Sequence, residues 1–202
     1  MSGPRKVGMM FGKGHAEVEL AEGVDVTVVE KQAMAVIGDA SGAIEAALNE
    51  PASDEGLAPC APLSDYAQGK STACILICDI TRPVPNGLNL PVLVRTLLAA
   101  GVPASGITVL IATGLHRPNL DDELRELVGD DWVLETVSCA NHYARVDDDH
   151  VQVGVTSRGT VVKLDKRFVE AEIRIATGLV EPHFMAGKNR PPSCCSCGAG
   201  VR

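Results

Sequence analysis

The longest apolar stretches of the chain do not alternate with polar residues. Cys74–Cys78 reads C-I-L-I-C, and Ile107–Ala112 reads I-T-V-L-I-A with a single threonine. Unbroken runs of this length predict strands covered on both faces, the condition of central strands in a parallel sheet. Ala171–Ala176 (A-E-I-R-I-A) predicts a further strand, and Trp132–Val137 a weaker one. Helical stretches separate them. Leu88–Ala100 carries Leu90, Leu97 and Leu98 and stops at Gly101; Leu120–Val128 has Asn119 as its cap and Asp121, Asp122 and Glu123 in its first turn; Asp165–Glu170 is short. Strand and helix in alternation predict an α/β fold: a Rossmann-like, mostly parallel sheet with flanking helices.

The beginning of the chain follows another rule. Lys6–Phe11, Ala16–Leu20 and Val24–Val29 read as short strands, the last two alternating apolar and polar residues, and together they predict a small N-terminal β-meander. Gly42–Asn49 reads as a helix capped by Ser41, residues 51–69 as a surface connection, and Val151–Val155 with Thr160–Val162 as a hairpin across Ser157-Arg158-Gly159.

Composition narrows the classes. With 202 residues, 46% hydrophobic and 22% charged, the chain is globular rather than disordered. Its net charge of −8 argues against nucleic acid or an anionic membrane as partner. No run reaches transmembrane length and no signal peptide opens the chain, so a cytoplasmic protein is expected. The seven cysteines show no disulfide framework. His15 in G-K-G-H reads as a solvated histidine. The run Asp147-Asp148-Asp149 lacks the glycine and terminal glutamate of a calcium loop and reads as a solvated acidic turn.

The candidate chemistry sits where the buried runs end. Cys78 is followed at once by Asp79, Thr81 and Arg82, and then by Pro83 and Pro85, which take the chain out of the sheet. Ile111–Leu115 and Ile175–Leu179 both read I-A-T-G-L, and each precedes a histidine and a proline: His116 and Pro118, Pro182 and His183. Ligands of open α/β sheets bind at the carboxyl ends of the strands. Three such exits would gather Asp79, Thr81, Arg82, His116 and His183 around one crevice. Two histidines can exchange protons on opposite faces of a substrate near neutral pH, an arginine can grip a carboxylate or phosphate with its planar fork, and an aspartate can orient a histidine or hold a ribose hydroxyl. The residues thus favour an acid–base enzyme acting on a small anion.

Three segments taken together resemble one family. D-I-T-R-P-V-P-N at Asp79–Asn86, T-G-L-H-R-P at Thr113–Pro118 and G-L-V-E-P-H-F-M-A-G at Gly178–Gly187 are similar, in order, to the nickel-dependent lactate racemases, over about Val7 to Gly187. The resemblance implies a racemase or epimerase of 2-hydroxy acids that uses a nickel pincer nucleotide, a nicotinate-derived mononucleotide holding nickel through sulfur and carbon. Its ring accepts hydride from the substrate Cα and returns it to either face. The resemblance assigns His116 and His183 as acid and base, Arg82 as the anchor of the anionic substrate, and Asp79, Thr81 and Arg82 as cofactor contacts. It assigns no metal ligand in this chain.

The sequence departs from that pattern after Gly187. Where the family has the lysine that tethers the cofactor, ten residues past the histidine, this chain has Ser193. The resemblance places a distal nickel-ligating histidine, and a second domain that closes over the substrate, further along, and this chain is expected to lack both. Residues 1–187 are therefore expected to be an incomplete N-terminal cofactor-binding domain, and 188–202 an aberrant tail produced by a frame slip near Lys188. Such a chain should be inactive alone. Two other readings stay open: a non-catalytic nucleotide-binding module, and a metal-binding protein using Cys194, Cys195 and Cys197. The identity of the 2-hydroxy acid is not legible in the residues.

Overall fold

A computed structural model describes residues 5–12, 14–29, 34–52, 60–179, 182–183 and 187–188. The chain divides into two compact units, Met1–Val36 and Ile37–Arg202.

The first unit contains an antiparallel pair, β1 (Arg5–Phe11) and β2 (Gly14–Leu20). Its register places Val7 opposite Val18 and Met9 opposite Ala16 on one face; Lys6 pairs with Glu19 on the other and forms ion pairs with both Glu17 and Glu19. His15 is exposed at the start of β2. The third strand expected over Val24–Val29 does not form; that segment is exposed except for half-buried Val26 and lies outside any strand. Alternation alone supplies no ladder partner, so the meander is a strand pair.

The second unit is built on four parallel strands in the order β5-β4-β3-β8: β3 (Ala73–Cys78), β4 (Ile107–Ala112), β5 (Ser138–Asn141) and β8 (Ile173–Ala176). The two unbroken apolar runs occupy the two central positions, as expected. Every residue of β3 is buried. Ile75, Ile77, Val109 and Ile111 point to one face, where they meet Leu90, Leu93, Val94 and Leu97 of helix α3 (Asn86–Ala99), Leu127 of α4 (Asp121–Val128) and Val133 of α5 (Asp131–Thr136). Cys74, Leu76 and Leu110 point to the other, with Ala171 and with Phe168 of α6 (Lys166–Glu170). A large side chain wholly withdrawn from water stabilises the fold by about 1.5–3 kcal/mol, so the first face carries most of the apolar stabilisation.

Topology explains this division. Strand order advances from β3 to β4 to β5 in one direction, so right-handed crossovers place α3, α4 and α5 on the same face. The chain then returns past β3 to β8, and its connection falls on the opposite face. That connection holds the antiparallel pair β6 (His150–Val155) and β7 (Val161–Asp165), followed by α6.

Local signals set the helix ends. Helix α1 (Ala40–Asn49) is capped by Asp39, whose carboxylate accepts from the Gly42 N–H at 2.9 Å; the expected cap, Ser41, lies inside the helix. The connection at 51–69 contains a one-turn helix, α2 (Leu63–Ala67), with Ala67 fully buried. Helix α3 starts at Asn86, two residues earlier than its apolar pattern suggests, and Gly101 follows its end at φ 97°. Gly129 terminates α4 at φ 69°, and its carbonyl lies so close to Gly87 that a Cβ there would stand 2.7 Å from it.

The expected strand Trp132–Val137 is instead α5. Asp130 caps it, accepting from the Val133 N–H at 2.9 Å, and Val133 and Val137, four residues apart, both face the core. Trp132 lies under the Arg95 guanidinium at 4.0 Å. The strand that pairs with β4 on its far side is β5, which follows α5 directly. No described helix is long and apolar enough to cross a membrane.

Candidate active site

The three expected exits lie at the carboxyl end of one parallel sheet, on β3 and its two neighbours. β3 is also where strand order reverses, the position at which open α/β sheets form a crevice. Asp79 leaves β3 buried, at 5% exposure. Both of its carboxylate oxygens are engaged. Oδ1 accepts from the Thr81 hydroxyl at 2.6 Å and from the Thr81 N–H at 3.3 Å; Oδ2 lies 2.5 Å from His116 Nδ1. The Arg82 N–H donates to the Asp79 carbonyl at 3.1 Å, closing the turn that carries Asp79, Thr81 and Arg82. Arg82 itself is half-buried.

A carboxylate only accepts hydrogen bonds, so the contact with Asp79 requires His116 to carry a proton on Nδ1. Nε2 is then the nitrogen left to exchange protons. The His116 side chain is 61% exposed while the Asp79 side chain is 7% exposed. A buried carboxylate thus holds an open imidazole by its inner nitrogen.

The loop bearing His116 leaves β4 through Thr113, which is buried and donates its hydroxyl to the His142 carbonyl; Gly114 turns at φ 57° and the His116 N–H returns to the Thr113 carbonyl at 2.9 Å. At the far side of the loop Asn119 does not cap α4 with its side chain. Its Nδ2 donates to Glu123 at 2.8 Å, and its Oδ1 accepts from the Ile80 N–H at 3.4 Å. Glu123 also takes a two-point contact from Arg117, at 2.5 and 2.6 Å, and these hydrogen bonds hold its carboxyl below the ordinary range.

The second I-A-T-G-L exit leaves β8. Thr177 is half-buried and turns back to β3, its N–H and hydroxyl donating to the Leu76 carbonyl at 2.9 and 3.2 Å. Pro182–His183 then forms β9, paired antiparallel with β10 (Gly187–Lys188). The His183 side chain lies outside the described residues, as do Ser193, Cys194, Cys195 and Cys197 and thus the readings of the tail. The structure therefore brings Asp79, Thr81 and His116 into direct contact and puts Arg82 in the same turn.

Pattern reading of the sequence left out a second set of polar groups. Asn141, His142, His150, Asp165 and Arg167 gather at the end of β5 and just beyond it. His142 and His150 face each other Nε2 to Nε2 at 2.8 Å, and His150 Nδ1 faces the Val146 carbonyl at 2.7 Å. His142 is 2% exposed and its Nδ1 has no partner. Burial pushes its pKa down, opposed by Asp165 and reinforced by His150 and Arg167. Arg167 forks onto Asp165 and reaches the Asn141 carbonyl at 3.0 Å. In the acidic turn Asp147 and Asp148 are exposed and Asp149 is half-buried, with Asp147 3.3 Å from Lys163, but the histidine that ends it is buried.

Comparison with known proteins bears on the same segments. The lactate racemase N-terminal domain family matches residues 11–189. The lactate racemase of Thermoanaerobacterium thermosaccharolyticum is 35% identical over 125 residues, which are 62% of this chain and 29% of that protein. The lactate racemase of Lactiplantibacillus plantarum is 34% identical over the same shares. The solved lactate racemase apoprotein from the first organism superposes with a TM-score of 0.77 at 26% identity, covering 98% of this chain and 44% of that one. The matched region thus spans less than a third of the curated relatives it resembles. With a family match over most of its length, a four-stranded parallel sheet and an N-terminal strand pair as in the solved relative, this chain belongs to the lactate racemase N-terminal domain family.

Proposed function

We propose that the chain forms the cofactor-binding and acid–base part of a 2-hydroxy acid racemase, with lactate as the first substrate to test and the cytoplasm as its place. The observation that carries this reading is the contact between buried Asp79 and exposed His116 at the exits of adjacent parallel strands.

The donor set suits a nickel pincer nucleotide. Arg82 and Thr81 follow Asp79 in one turn at the strand exits, where an anionic nucleotide would be received, while among the described residues no three His, Cys, Asp or Glu side chains converge on a point that could take a metal ion. When bound, the pincer nucleotide supplies a reversible acceptor for the hydrogen on the substrate Cα.

The remaining work falls to the chain. Arg82 holds the substrate carboxylate or the nucleotide phosphate by its planar fork. Asp79 keeps the His116 proton on Nδ1 and so aims Nε2 at the substrate hydroxyl. His116 Nε2 takes the hydroxyl proton as the Cα hydrogen departs, and His183 returns a proton to the carbonyl oxygen when the hydrogen comes back on the opposite face. In the reverse direction their roles exchange. His116 is open to water here, and such chemistry needs a closed site, so the 202-residue chain alone should not racemise lactate.

The test is a graft. Residues 1–187 replace the matching segment of the Thermoanaerobacterium lactate racemase, and the cofactor-loaded product is assayed for interconversion of D- and L-lactate. Turnover that disappears in His116→Ala supports the reading. A folded, loaded graft without turnover, or one indifferent to His116→Ala, overturns it.

A further inference from the structure

The loop that carries His116 is held at both ends by the strand next to it. Three residues before the histidine, the Thr113 hydroxyl donates to the His142 carbonyl, while the His142 N–H donates to the Ile111 carbonyl at 3.0 Å. Three residues after it, Asn119 and Asn141 form a reciprocal pair: the Asn119 N–H donates to Asn141 Oδ1 at 2.8 Å, and Asn141 Nδ2 donates to the Asn119 carbonyl at 2.8 Å. Both asparagines are buried, at 1% and 6% exposure.

The Asn141 amide therefore treats the Asn119 backbone as a strand neighbour would, occupying its donor and its acceptor together. Only one orientation of the amide does this, because turning it over sets donor against donor and acceptor against acceptor. Asn119 passes the restraint onward, since its Oδ1 accepts from the N–H of Ile80, the residue beside Asp79. The exits of β3, β4 and β5 meet in this one buried network. It is fixed from behind, where Arg167, itself forked onto Asp165, donates to the Asn141 carbonyl.

We infer that Asn119 and Asn141 are positioning residues that set the Asp79–His116 contact from outside the site, so that the proton on His116 Nδ1 depends on an amide at the exit of β5. An exposed imidazole held by one carboxylate oxygen needs its loop in register; with the Asn119 end released, the loop pivots on Thr113 and His116 swings off Asp79. Breaking a satisfied buried network also leaves its partners unpaired, which makes the displacement a discrete one. The inference deepens the catalytic role proposed for His116, but its readout needs neither cofactor nor substrate.

The experiment follows the imidazole nitrogens of His116 by 1H–15N NMR in the 202-residue chain, at a pH where the ring is neutral. The unsubstituted chain is expected in the Nδ1–H form. In Asn141→Ala that form should give way to the Nε2–H form that free imidazoles favour. Asn141→Asp keeps the acceptor for the Asn119 N–H and loses the donor, so it should retain part of the signature; it also serves if Asn141→Ala does not fold. Val133→Ala, which lowers stability from α5, should leave the signature intact. Retention of the Nδ1–H form in both Asn141 variants overturns the inference, as does its absence from the unsubstituted chain or its loss in Val133→Ala. Because no turnover is measured, this result and that of the graft can fail separately.

Discussion

The two copies of I-A-T-G-L are the same five residues in two different places. The first ends β4, which has β3 on one side and β5 on the other; the second ends β8, which pairs with β3 and with no other strand among the described residues. Ile111 is fully buried and Ile175 half-buried. Thr113 is buried and reaches outward to the next strand exit, whereas Thr177 folds back onto the Leu76 carbonyl of the strand its own is paired with. A strand exit encoded locally is thus braced according to its rank in the sheet. The first histidine leaves from a position clamped on both sides, and the second from an edge.

Cutting both strands equally deep should expose this difference first in stability. Ile111→Ala removes buried methyl groups between two sheet neighbours and the helices above and should cost about 2–5 kcal/mol. Ile175→Ala, at the edge, should cost about 1–2 kcal/mol. Denaturant midpoints measure both, and equal losses would mean that rank in the sheet does not matter.

The two histidines come next. In a complete, cofactor-loaded enzyme carrying this segment, His116→Ala and His183→Ala should each slow racemisation roughly 100-fold or more, about 2.7 kcal/mol at the barrier. Near-normal turnover in either variant removes that histidine from the reaction. Equal losses would show that the unequal bracing is made good elsewhere in the active enzyme.

A smaller effect separates the threonines. Thr113→Val leaves the His142 carbonyl without its donor in a buried place and should cost about 1–3 kcal/mol, while Thr177→Val should cost about 0.5–1.5 kcal/mol because its N–H still serves Leu76. Urea melts of the two variants decide this, and a larger loss at Thr177 would reverse the ranking.

Acid provides the finest distinction. Burial lowers the His142 pKa, so the folded chain prefers the neutral ring while the unfolded chain takes up a proton near pH 6.5. Stability held above that pH is lost as pH falls below it, by at most about 1.4 kcal/mol per pH unit for one proton. Asp165 and Asp149 soften the effect, and His150 and Arg167 sharpen it. His142→Gln should flatten the dependence of the urea midpoint between pH 7.5 and 5. An unchanged slope would show that His142 does not change protonation on unfolding.

The same ranking explains which parts were legible beforehand. A central strand writes itself as an apolar run, so β3 and β4 and their exits could be read directly, and with them Asp79, Arg82 and His116. An edge strand has less to bury. In β5, S-C-A-N carries no apolar run, and the neighbouring W-V-L-E-T-V, which folds as α5, has the stronger strand pattern. The better signal was Gly129 followed by Asp130, the end of one helix and the cap of the next, with Val133 and Val137 at helical spacing. Asn119 resembled a helix cap because asparagine often is one. Its partner, Asn141, stands 22 residues away, and only the parallel pairing of β4 with β5 brings the two together. The direct contact of Asp79 with His116 likewise depends on β3 and β4 being neighbours, which strand order alone does not specify.

The thiols of the sheet extend these differences into time. Cys74 lies in β3, its pKa pushed up to about 12, first by burial and then by Asp165; Cys139 lies in β5, pushed up to about 11 by burial; Cys60 is exposed. Alkylating reagents attack the thiolate, and a buried thiol meets them only when its strand comes away from its neighbours. Cys60 should therefore be modified at once, half-buried Cys139 more slowly, and buried Cys74 only when the centre of the sheet comes apart. Peptide mapping of a timed labelling series would rank the strands by how often each one opens, in the native protein and without a single substitution.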